Sequence, residues 1–187
     1  DVPAKVRKTV GLSNLLASTE WSKRKGLLPC CPAIDVYGNP VVFDIADLPH
    51  IIIAGTTGSG KSVFMNAMLL SLMASGADFR LIIADGKGED FAPHYARSSR
   101  LMQDMTDDSG DIPAIATDAE TIKRQVLWIT AEMDNRFATG AKPYPIIFLT
   151  DELADIVMQD GKDKAITKAI ARISQKARSA KISMMLA

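Results

Sequence analysis

The chain has 187 residues, enough for one domain with a full hydrophobic core. Its 22 basic and 22 acidic residues cancel, so no global charge announces a nucleic-acid partner, and its two adjacent cysteines, Cys30 and Cys31, suit neither a disulfide framework nor a zinc site. No apolar run reaches the roughly 18 residues of a membrane span, and His50 and His94 lack metal-ligand spacing, so a soluble, cytoplasmic segment is expected.

Residues 1–48 stand apart from the rest of the chain. Val10–Ala17 fits a short helix with Leu12, Leu15 and Leu16 on one side, and Lys23, Arg24 and Lys25 then interrupt with charge. After the break at Pro29–Pro32, Ala33–Val36 and Val41–Phe43 fit two short strands. Tyr37, Gly38, Asn39 and Pro40 between them supply turn chemistry, giving a β-hairpin that delivers the chain to His50.

Ile51–Ala54 reads as a buried strand entering a tight turn, and Gly55, Thr56, Thr57, Gly58, Ser59, Gly60, Lys61 and Ser62 fit G-x-x-x-x-G-K-[ST]. Such a loop must bring backbone N–H groups close around phosphates, which calls for residues without bulky side chains and tolerant of positive φ. The succeeding helix points its unpaired N–H groups and positive dipole end at the same anion. Lys61 is then expected to reach the β and γ phosphates of ATP and the Ser62 hydroxyl to hold Mg²⁺, with the nucleotide-binding stretch extending to Val63.

Val63–Ser75 continues as a helix that is apolar over much of its surface (Val63, Met65, Ala67, Met68, Leu70, Leu72) and is expected to be buried, ending at Gly76. Phe79–Ala84 is a second buried strand. Its carboxyl end carries Asp85, Gly86, Lys87 and Gly88, and in open α/β sheets that end lies near the phosphate loop. Residues 92–118 are irregular and predict a loop-rich crossover with one short strand at most. Thr117 or Asp118 then caps a helix over Ala119–Thr139, with Ile122, Val126, Ile129, Met133 and Phe137 at core spacing, stopped by Gly140 and Pro143.

Ile146–Asp151 is a third buried strand ending in the acidic pair Asp151 and Glu152, the second half of the ATPase signature. Asp151 is expected to bind Mg²⁺ through its water shell, and Glu152 to orient and polarise the attacking water. A helix from about Thr167 to Ala180 turns Ile166, Ile170, Ile173 and Ala177 inward and Lys164, Lys168, Arg172 and Lys176 outward. Lys181–Ala187 forms a further core strand. Charge is segregated inside the neutral total, with acids dominating residues 104–120 and bases residues 162–181, a pattern that a motor gripping DNA in one place and an ordinary solvated helix both show.

At this length of pattern the chain resembles the FtsK/SpoIIIE family of DNA translocases. The resemblance rests on VPAKVRKTVGLSNLL, on GNPVVFDIADLPHIIIAGTTGSGKSVFMNAMLLSL, on WITAEMDNRF, and on TDELADIVMQDGKD with ISQKARSAKISMMLA. It implies a RecA-like P-loop NTPase core, α/β with a mainly parallel sheet flanked by helices, spanning 49–187 and incomplete at its C-terminal end. The short helix and β-hairpin of 1–48 lead into that core. It also implies ATP and Mg²⁺ as cofactors, double-stranded DNA as partner, a homo-oligomeric, hexameric ring, and a bacterial cytoplasmic location with any inner-membrane anchor elsewhere in the parent. Arg172 and Arg178 are candidates for acting in trans on a neighbouring subunit's nucleotide. Gly86 stands where the family usually has proline, and the Thr139–Pro145 connection is short. The first leans toward the alternative of a related ATPase driving conjugation coupling or protein secretion, and the second suggests a mobile-element branch or a segment absent from this chain.

Overall fold

The computed structural model describes residues 9–158, 160, 162 and 164–187, so the parts of the sequence patterns that fall on 1–8, 159, 161 and 163 lie outside the described residues. The chain divides into two units, Asp1–Asp44 with Val63–Ala77, and Ile45–Ser62 with Asp78–Ala187.

In the first unit, helices α1 (Leu12–Leu16) and α2 (Thr19–Ser22) bury Leu15 and Trp21 around Cys31 of strand β1 (Pro29–Ile34). Ser18 caps α2, its hydroxyl accepting from the Trp21 amide at 3.1 Å. β1 pairs antiparallel with β2 (Pro40–Asp44). The hairpin turn is closed by the Asp35 carboxylate, which accepts from the Tyr37 and Asn39 amides at 2.8 and 2.9 Å. The strand begins at Pro29, where the sequence suggested a break. Pro29 sits at the strand's first position, and the register shifts between Cys30 and Ala33, around Pro32, so neither proline has to supply a regular ladder N–H. Of helix α3 (Lys61–Ala74), Met65, Met68, Leu69 and Leu72 form the covered face at i, i+3, i+4, i+7 spacing. Val63 is 74% exposed and Leu70 47% exposed, against the expectation of burial all round, because they fall on the opposite side of the helix.

The second unit is built on a five-stranded parallel sheet in the order β3-β9-β8-β4-β7. Its strands are β3 (His50–Ile52), β4 (Arg80–Ala84), β7 (Ile115–Ala116), β8 (Ile146–Thr150) and β9 (Ile182–Leu186). Every residue of β8 and β9 is buried, as strands covered on both faces must be. β3 is not the buried strand its three isoleucines suggested: it forms the sheet's edge, and Ile52 is 75% exposed. The crossover holds more order than one strand. It contains helix α4 (Ala92–Tyr95) and two-residue strands β5 (Thr106–Asp107) and β6 (Gly110–Asp111), paired antiparallel, before β7 joins the main sheet.

Helix α5 (Ala119–Thr139) packs Ile122, Val126, Ile129 and Met133 on one face of the sheet. Asp118 caps it, accepting from the Thr121 amide at 2.9 Å, and Gly140 ends it. The next inward position after Met133 is Arg136, not Phe137, which is 43% exposed. A 3.6-residue turn brings either to the core edge, and Arg136 wins because its guanidinium finds the Glu132 carboxylate and the Tyr144 and Ala180 carbonyls at 2.7–2.9 Å. After β8 comes helix α6 (Leu153–Met158), which the sequence did not signal, and then α7 (Ala165–Lys176), whose last turn tightens to a 3₁₀ helix over Ala177–Ala180. The Asp160 carboxylate accepts from the Ile166 and Thr167 amides at the start of α7, at 3.2 and 2.8 Å. Ile166, Ile173 and Ala177 join the core and Ile170 is partly buried, while Lys164, Lys168, Arg172 and Lys176 are exposed, as the periodicity predicted. Among the described residues no helix is long and apolar enough to cross a membrane.

Candidate functional site

Parallel strands place their carboxyl ends along one margin of a sheet, and two of the sequence motifs end there. β3 hands over to the glycine-rich loop just after Ile53, whose amide donates to the Leu186 carbonyl at 2.8 Å. Residues Gly55–Gly60 are exposed, and the loop turns on itself through the Ser59 amide, which donates to the Thr56 carbonyl at 3.0 Å. Gly58 and Gly60 have φ of 76° and 96°, and a β-carbon at either would meet no atom within 4 Å. Backbone conformation, not crowding, therefore calls for glycine at these two positions, as a loop shaped by its own amides requires. Lys61 Nζ donates to the Gly55 carbonyl at 3.0 Å, so its ammonium lies across the loop. Thr57 is an exposed member of the same loop, and Val63, the next residue of α3 after Ser62, is largely exposed.

β8 reaches the same margin one strand beyond β9. The Ser62 hydroxyl lies 3.4 Å from Asp151 Oδ1 and 3.2 Å from Asp90 Oδ2, so three oxygen-bearing side chains from three separate segments converge. Asp151 is 7% exposed. Burial, then a hydrogen bond and charge repulsion from Asp90, push its carboxyl up to about 6, although the Ser62 hydroxyl and the Lys87 charge pull the other way.

Asp90 carried no sequence signal of its own. It lies in an irregular segment after Gly88, and only the fold brings it to Ser62. Asp85, expected near the phosphate loop, is fully buried and serves the backbone instead. Its carboxylate accepts from the Gly88 amide at 3.1 Å and from the Phe91 and Ala92 amides at 2.9 Å, tying the β4 turn to the start of α4. Lys87, on that turn, donates from Nζ to Glu152 Oε2 at 2.9 Å. Both residues line a cavity of about 350 Å³ with Thr117, Lys123, Ile156 and Ile166 among its walls. Arg172 makes a two-pronged ion pair with Asp134 of its own chain at 2.6 and 2.8 Å. Arg178 is looser, 3.8 Å from Asp47 with its side chain 65% exposed.

The donor set fits a hard divalent cation and a phosphate chain. Hydroxyl and carboxylate oxygens are what Mg²⁺ takes, and the ammonium and open glycine backbone are what phosphates take. Ser62, Asp151 and Asp90 are the residues here that would hold the metal, and Gly55–Ser62 those that would hold the phosphates.

A family model described as the FtsK/SpoIIIE family matches residues 11–139. All of the chain aligns with the DNA translocase SftA of Bacillus subtilis at 31% identity, covering 21% of that protein. It likewise aligns along its full length with the DNA translocase FtsK of Pseudomonas aeruginosa at 29% identity, covering 27% of it. The chain thus spans about a quarter of the length of these curated relatives. Among solved structures, the pCW3 conjugation coupling protein TcpA with ATPγS superposes with a TM-score of 0.64 at 18% identity, over 88% of this chain and 48% of that one. Thermomonospora curvata EccC, ATPases 2 and 3 with a signal sequence peptide, gives a TM-score of 0.65 at 15% identity, over 85% of this chain and 28% of that one. At such identities these two likenesses speak for the fold alone, a mainly parallel sheet flanked by helices.

Proposed function

The chain belongs to the FtsK/SpoIIIE family, and from that premise we propose that it is part of the motor of an ATP-driven translocase that moves double-stranded DNA. The observation that carries the reading is the meeting of Ser62 with Asp151 at 3.4 Å, which unites the two halves of a P-loop ATPase site from residues 89 apart in sequence. Lys61 and the loop amides would hold and orient the phosphates, Ser62 and Asp151 would hold the metal, and Glu152 would act as general base, orienting the attacking water and accepting its proton. The Mg²⁺ ion supplies charge neutralisation at the phosphates. Asp90 stands beside Asp151 as a further oxygen donor facing Ser62.

Motors that share sites between subunits need a cation from a neighbour in a ring, which for this protein we take to be a homo-hexamer. Arg178 is the better of the two candidates, since Arg172 is already committed to Asp134. The exposed Lys168 and Lys176 on α7, with Lys164 just before it, offer phosphate contacts of the sequence-independent kind. The test is turnover by the full-length protein with and without duplex DNA. Stimulation by DNA is expected. Glu152→Gln should still bind ATP but lose about 100-fold or more in hydrolysis, whereas Lys61→Ala should lose binding itself. Turnover indifferent to DNA, or normal turnover in the Glu152 variant, would sink the assignment.

A second reading, an ATPase of conjugation coupling or protein secretion, is favoured by Gly86 between Asp85 and Lys87. Stimulation by a polypeptide cargo in place of duplex DNA would select it.

A further inference from the structure

We propose that Lys87 is a positioning residue that latches Glu152 away from its water until the motor is engaged. The latch rests on the reading of Glu152 as the residue that activates water. A carboxylate that takes a proton from water needs an oxygen lone pair directed at that water. In this structure Glu152 instead directs Oε2 at the Lys87 ammonium, 2.9 Å away. Its sequence neighbour Asp151 lies 3.4 Å from the Ser62 hydroxyl, and the Lys87 charge acts on it as well.

The construction around Lys87 suits a latch. Its turn is anchored at one end by buried Asp85, whose carboxylate holds the amides of Gly88, Phe91 and Ala92. Gly88 has φ of 69°, which fits the turn's shape, so the lysine is rooted on a defined turn and reaches Glu152 through a long four-carbon stem. The pair is also easy to open. The side chains are 57% and 37% exposed, and a half-exposed pair of this kind favours its closed state by no more than about fivefold. The 350 Å³ cavity that both residues line gives either side chain somewhere to go. Nothing need be formed or broken covalently: an ion pair opens and a carboxylate oxygen is released to accept a hydrogen bond from water.

The experiment compares Lys87→Met, Lys87→Arg and Glu152→Gln in the full-length protein, with steady-state ATP turnover measured with and without duplex DNA alongside nucleotide affinity and melting temperature. Lys87→Met should raise turnover without DNA by about two- to fivefold through kcat, leave KM and the melting temperature unchanged, and narrow the ratio of stimulated to unstimulated rates. Lys87→Arg keeps a cation opposite Glu152 and should stay near the parent rate. Unstimulated turnover that is unchanged or lower in Lys87→Met, with intact melting and nucleotide affinity, overturns the latch while leaving the catalytic reading in place. Normal turnover in Glu152→Gln overturns that reading itself, whatever the lysine variants do.

Discussion

Arg136 has a side chain only 1% exposed and still carries its charge inward, to Glu132 at 2.7 Å and to the carbonyls of Tyr144 and Ala180 at 2.8 and 2.9 Å. It therefore ties α5 to the approach to β8 and to the turn before β9. Truncation leaves the Tyr144 and Ala180 carbonyls without this donor, takes one of the Glu132 carboxylate's donors and opens a cavity. Arg136→Ala should destabilise by about 3–5 kcal/mol, read as a shift of the denaturation midpoint at constant slope. Nothing in the local sequence distinguishes this arginine from the exposed Arg172. The difference lies in which carbonyls the fold presents, and for the same reason Asp90 was invisible as a partner of Ser62. Gly55–Ser62, by contrast, stands out in the sequence itself, because the backbone freedom such a loop calls for is local, and Gly58 and Gly60 do take positive φ.

At the scale of elements, caps and periodicity did most of the specifying. α5 begins at its Asp118 cap and ends at Gly140 as the sequence predicts, since capping chemistry acts within one turn. The cap also gives a pH signature. Hydrogen bonds from the Thr121 backbone and side chain hold the Asp118 carboxyl below its ordinary value of 3.8. A depressed carboxylate contributes stability that is present above the ordinary value and is lost as pH falls through the lower folded-state value. Asp118→Ala should thus cost about 1 kcal/mol at pH 7, and its gap from the parent should narrow in the acid range below pH 4, in thermal melts across pH. Where elements were misjudged, the cause was one-sided cover. α3 carries more apolar residues than one face holds, and the isoleucines of β3 read as a central strand although the strand lies at the edge of the sheet. The segment 92–118 resisted reading because two-residue strands such as β7 have no periodicity and exist only by pairing with β4.

For the whole molecule, the neutral total charge conceals an uneven surface, with the exposed lysines of α7 on one element and the acids of 104–120 elsewhere. Some of those acids are already spent inside the fold. Asp107, for instance, takes both prongs of Arg124 at 2.7 Å. If α7 is the DNA-facing element, replacing Lys168 and Lys176 together by Gln should weaken duplex binding evenly across sequences. It should also flatten the dependence of log affinity on log salt by about 0.9 for each phosphate no longer neutralised. An unchanged slope in a salt titration would move the DNA-binding surface to another element.

By itself the sequence determined the glycine-rich loop, the acidic pair at a strand end, the long capped helix, the α/β class and the family, because each depends on contacts within a few residues or on an extended run of matching ones. Only the tertiary structure decided that β3 is an edge, that Asp90 joins Ser62 and Asp151, that Asp85 caps a turn and that Lys87 holds Glu152. Those outcomes depend on which strand carboxyl ends the order β3-β9-β8-β4-β7 brings side by side, and pairing between segments tens of residues apart leaves no mark in either segment alone.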